Sequence, residues 1–142
     1  MEIDSIEQAV DTQRDSVKTY LQTALSMLSD RQAPDYRNSI KESISAVESL
    51  VKQITGSDKG TLGSLLKHMP ALHKDMRLAF EYLYKYSSDE DGIRHAIMEK
   101  DILDFHDAKF MLVTCSAFIN FVEGKRTDNL IVNSSEKALE SA

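Results

Sequence analysis

Between Tyr36 and Thr55 the chain repeats apolar side chains at three- and four-residue steps: Tyr36, Ile40, Ile44, Val47, Val51 and Ile54, with Leu50 beside them. This repeat limits the fold more than anything else in the sequence, because it fits one face of an α-helix and no β-strand. Pro34 disfavours helix at Ala33, Asp35 is a good N-cap, and Gly56 stands where a left-handed C-cap is expected. Lys41, Glu42, Glu48 and Lys52 lie on the opposite face, and Arg37, Asn38, Ser39 and Ser43 add a polar flank near the start. A helix with one apolar face must bury it against other elements, and the flanking sequence supplies more helices.

Upstream, Ile3 to Ser29 reads as one helix whose clearest stripe is Val17, Leu21, Ala24, Leu25 and Leu28. Asp4 or Ser5 can cap it, with Glu7 or Gln8 at capping-box spacing. Before Val17 the sequence is mostly polar, so residues 1–16 are expected to project, fray or pack on a partner. Downstream, Thr61 caps a short helix holding Leu62, Leu65, Leu66 and Met69, which Pro70 stops. A further helix over Ala71 to Tyr86 turns Leu72, Met76, Ala79, Phe80, Leu83 and Tyr84 inward. The alternation in 81–86 lacks turn residues on both sides, so helix is preferred to strand. After a short helical piece around Ile93 to Met98, the last helix runs from Asp104, its cap, to Glu123, with Gly124 ending it. Phe110, Met111, Leu112, Val113, Ala117, Phe118, Phe121 and Val122 surround it, so it is expected to be the most buried helix. Residues 125–142 form a polar tail, expected to be loosely ordered. The fold expected is all-α, one antiparallel bundle of four to five helices over residues 1–124.

Composition narrows the function. A single cysteine, Cys115, forms no intramolecular disulfide, which suits a reducing cytoplasm. No run reaches the ~18 apolar residues of a membrane span, so no membrane partner is expected. The net charge of −6 lacks the basic balance of a non-specific nucleic-acid binder, although a local basic site assembled by dimerisation remains compatible with it. No Walker loop, Rossmann glycine pattern, nucleophile elbow or kinase signature is present, so no cofactor is expected.

One stretch brings reactive side-chain types to a turn: Ser87-Ser-Asp-Glu-Asp-Gly-Ile-Arg-His-Ala96. Arg94 can grip a phosphate by forked hydrogen bonds, and His95 can move protons near neutral pH. Metal-free RNA cleavage needs those two group types. The plain alternative pairs Arg94 with Asp89, Glu90 or Asp91 and leaves His95 as a surface or cap residue. His106, between Asp104 and Asp107, looks like a mixed metal-ligand set. No Cys-x-x-Cys or His-x-x-x-His accompanies it, and a helix start rich in Asp explains it as well, so no metal is expected. Cys115 sits in the most apolar helix and reads as core. Tyr82, Tyr84 and Tyr86 suit either base stacking or packing.

Two blocks, Leu28-Ser-Asp-Arg-Gln-Ala-Pro-Asp-Tyr-Arg-Asn-Ser-Ile-Lys-Glu-Ser-Ile-Ser-Ala-Val-Glu48 and Tyr82 to Ala96 continued by Ala108 to Asn120, resemble the C-terminal HEPN-type domain of bacterial abortive-infection (Abi-like) proteins. The resemblance implies a helical bundle, commonly homodimeric, with a metal-independent ribonuclease site in the cleft between two copies. In that family an Arg is followed by a polar residue and, several residues on, by a His. Arg94 matches the first, His95 takes the second place, and Glu99, Lys100 and Asp101 stand where the His belongs. His95 or His106 would then replace it, with Asn38 and Asp91 as orienting neighbours. The resemblance also implies RNA as substrate and an N-terminal domain or an antitoxin as partner. A catalytically inactive dimerisation or interaction domain is the alternative.

Overall fold

The structure, a computed structural model, describes residues 2–11, 14–57, 59–69, 72–87 and 103–127. In order these form α1 (Glu2–Val10), α2 (Asp15–Ser29), α3 (Tyr36–Thr55), α4 (Leu62–Leu66), α5 (Lys74–Ser87) and α6 (Phe105–Thr127). Among the described residues there is no strand, and the architecture is the all-α bundle expected. The helical piece expected around Ile93 to Met98 and the tail beyond Thr127 lie outside the described residues.

At the centre α3 packs between α2 and α6. Its ends fall where the local chemistry puts them. The Asp35 carboxylate accepts the Asn38 backbone N–H at 3.1 Å, and Gly56, at φ 74°, donates its N–H to the Lys52 carbonyl at 2.9 Å. Ile40, Ile44, Val47, Leu50, Val51 and Ile54 are buried, as the repeat requires. Ser39 and Ser43, read as a polar flank, are instead fully buried. The Ser39 hydroxyl donates to the Ala24 carbonyl on α2 at 2.8 Å and that of Ser43 to the Ser39 carbonyl at 3.1 Å, so small, satisfied side chains let the helices approach.

The expected single helix from Ile3 to Ser29 is two. Arg14 holds extended backbone (φ −93°, ψ 105°), with its guanidinium drawn to Glu123 and Gln53 at 2.9 Å each. The chain therefore turns there, and residues 2–10 do not project. Ile6 and Ala9 are buried, α1 packs on α6, and the Asn120 amide donates to the Ser5 carbonyl at 2.9 Å. Because α1 starts at Glu2, Asp4 and Ser5 are inside it and not its cap. On α2 the stripe is buried except for Leu25, which is exposed.

Thr61 caps α4 as expected, accepting the Ser64 N–H at 3.2 Å. α5 starts at Lys74 and stays helical through 81–86. It reaches the core through a narrow stripe of Phe80, Leu83 and Tyr84, with the Phe80 ring 3.7 Å from that of Phe118. Met76 and Ala79, expected inside, are exposed for that reason. α6 does not end at Gly124, which keeps no positive φ and lies within the helix. Nor is α6 buried all round: Ala108, Met111, Leu112, Cys115, Ile119 and Val122 face the core, while Phe110, Ala117 and Phe121 face outward.

Candidate functional site

Asn38 and His106 are the two expected site residues within the described part of the chain. Arg94, His95 and Asp91 lie outside it. Asn38 is in the first turn of α3, where its side-chain amide donates to Asp35 Oδ2 at 2.8 Å. The amide therefore helps hold the cap, and its orientation is set by Asp35. His106 is the second residue of α6 and is exposed, with its ring edge-on to Phe105 at 5.9 Å. Phe105 in turn meets Tyr36 edge-on at 6.4 Å. This aromatic contact joins the start of α6 to the start of α3, so Asn38 and His106 occupy the same end of the bundle.

The end of α5 joins them. Tyr86 is partly exposed, and its phenol is raised above the ordinary value, first by burial and then by the negative charges of Asp107 and Asp104. Ser87 closes α5 and Leu103 precedes Asp104, so the described chain on both sides of 88–102 stands at this end. Nothing in the local sequence marks Tyr86 as a neighbour of Asp104, since the contact is made by packing alone.

The acidic residues here are engaged in starting helices. Asp104 Oδ1 accepts the backbone N–H groups of His106 and Asp107 at 2.9 and 3.2 Å, and Asp107 Oδ2 accepts the Asp104 N–H at 3.0 Å. This is a reciprocal capping box with Asp in the third position. Those N–H bonds hold the Asp104 carboxyl below the usual range. Among the described residues no three His, Cys, Asp or Glu side chains are grouped to hold a metal ion. Cys115 is no nucleophile: it is fully buried, and burial pushes its thiol up to about 12. Of the tyrosines, Tyr82 is the most exposed, with the Lys85 ammonium 5.3 Å from its ring centroid, while Tyr84 is half-buried.

Two surface grooves lie elsewhere. One, of about 230 Å³ between α2 and α3, is lined by Tyr20, Ser45, Glu48, Ser49, Lys52 and Gln53. The other, of about 360 Å³ between α4 and α5, includes Ser64, Lys67, Glu81 and Lys85. Neither touches Asn38 or His106. The sequence puts Glu48 on the face opposite the apolar stripe; its place in a groove depends on how α2 lies beside α3.

Comparison of the chain with family models, with curated proteins and with solved structures finds no match in any of the three. Among the described residues no helix is long and apolar enough to cross a membrane.

Proposed function

We propose that the chain is a HEPN-type domain of a bacterial phage-defence (abortive-infection) or toxin-like protein, cytoplasmic and homodimeric, that cleaves RNA without a metal. In this reading Arg94 binds the scissile phosphate and stabilises its developing charge, and His95 serves as the acid or base for the 2′-hydroxyl attack. Asn38, Asp91 and His106 are the supporting groups. The observation that carries the reading is a convergence: the Asp35–Asn38 cap, His106 and the two residues flanking 88–102 stand at one end of the bundle. A stretch tethered at both sides of that end has Arg94 and His95 within it.

The test is RNA cleavage by the purified protein in EDTA, beside Arg94→Ala and His95→Ala, with thermal melts to show that the variants fold. Each substitution should lower the rate by about a hundredfold or more. Cleavage that survives both would remove these residues from the chemistry. A second reading, a catalytically inactive interaction domain, is favoured by the outward-facing Phe110 and Phe121 and by Glu99, Lys100 and Asp101 in place of the downstream His. It predicts no cleavage by the parent at any concentration at which it self-associates.

A further inference from the structure

We propose that two copies of this chain pair through the outward face of α6, with the two helices antiparallel about a twofold axis beside residues 115 and 116. The pairing takes up the two-copy part of the reading above, but it rests on the α6 surface and not on RNA cleavage.

Phe110, Thr114, Ala117 and Phe121 follow one another at steps of four, three and four, which is one stripe of a helix. Phe110 is 56% and Phe121 38% exposed, Ala117 is exposed and Thr114 half-buried. The stripe carries no charged side chain, although it runs along a solvent face for roughly 16 Å at the helical rise. Its two borders are occupied, since Asn120 binds α1 through Ser5 and Phe118 stacks on Phe80 of α5.

The stripe is complementary to its own reverse. In the antiparallel register Phe110 faces the partner's Phe121, and Thr114 faces the partner's Ala117. Small side chains meet at the axis, where backbones come closest, and large rings fill the ends. An isologous contact of this kind closes on two copies.

Charge decides the direction. Asp107 lies in the first turn of α6 and Lys125 in the last, both on the flank towards α5. The Lys125 ammonium stands 5.4 Å from the Phe121 ring centroid, at the end of the stripe. Antiparallel pairing brings Asp107 beside the partner's Lys125, twice by symmetry, and sets each helix's positive pole against the other's negative pole. Parallel pairing would put the two α5-side flanks on opposite sides of the contact, so that Asp107 and the partner's Lys125 could not meet. The composition of the stripe thus favours a second copy of this chain, and its ends favour the antiparallel arrangement.

Sedimentation across the micromolar range tests this on the parent, Ala117→Glu and Lys125→Glu. The parent should be dimeric. Ala117→Glu, a change at an exposed site that keeps the helical fold, should be monomeric, and Lys125→Glu should weaken association about tenfold. A short bis-maleimide should join copies of Ala117→Cys and not copies of Lys41→Cys, an exposed position on α3; the buried Cys115 stays silent. A parent that is monomeric throughout overturns both this interface and the two-copy reading. A dimer that persists in Ala117→Glu, or equal cross-linking at Lys41→Cys, overturns this interface and leaves the two-copy reading standing.

Discussion

Glu48 carries a charge in a place that disfavours it. It lines the groove between α2 and α3, half-buried, and burial raises its carboxyl above the ordinary value, opposed by the Lys52 ammonium one turn away. A carboxyl whose pKa is raised on folding contributes stability that is full below its unfolded value and is lost as pH rises through the folded one. At neutral pH the ionised Glu48 is therefore a small burden on the fold. Glu48→Gln should raise stability at pH 7 by ~0.5 kcal/mol, a modest figure because the side chain keeps solvent contact and Lys52 offsets part of the penalty. The gain should vanish as the pH falls below the carboxylate range. Paired melts at pH 7 and pH 3.5 check the sign, and a variant less stable than the parent at pH 7 would mean that Lys52 outweighs burial. The Ser39 hydroxyl is more deeply buried but neutral, and it carries no such penalty because it donates to the Ala24 carbonyl.

Helix ends show which parts of the fold are written locally. Gly56 takes φ 74°, and a Cβ built there would meet nothing within 4 Å. Gly56→Ala should thus destabilise through backbone strain alone, by about 1 kcal/mol. Asp35→Ala should cost about the same by removing the cap of α3 and the anchor of the Asn38 amide. Urea titrations of both variants check these values, and a neutral Gly56→Ala would mean that α3 ends differently in solution. Both ends of α3 were legible because each depends on residues within four positions. Gly124, by contrast, fits the same rule for a stop, yet it keeps helical backbone and α6 runs on to Thr127. The break at Arg14 was not legible either, since Glu123 and Gln53, which draw its side chain, are remote in sequence. The candidate site divides the same way. Arg94 and His95 stand out through the turn signal beside them, whereas the approach of Tyr36 to Phe105 and of Tyr86 to Asp104 and Asp107 arises only when three helix ends are packed together.

For the molecule as a whole, α1 is a short element held mainly by one neighbour, α6. Its buried residues are Ile6 and Ala9, with Val10 packed against the core and the Asn120–Ser5 hydrogen bond beside them. A helix of nine residues is marginal by itself in water. α1 is thus held by its docking on α6 and has little stability of its own. The opening should stop at Arg14, whose bonds to Glu123 and Gln53 tie the start of α2 to α6 and α3 independently of α1. Ala9→Glu, which places a carboxylate in that contact, should release α1 as a unit. Amide exchange should then become fast across residues 2–10 and stay slow in α3 and in the core-facing positions of α6. An equal loss of protection in α1, α3 and α6 would show instead that α1 belongs to the same cooperative unit as the central helices, so that the chain could not lose its first helix without losing its fold.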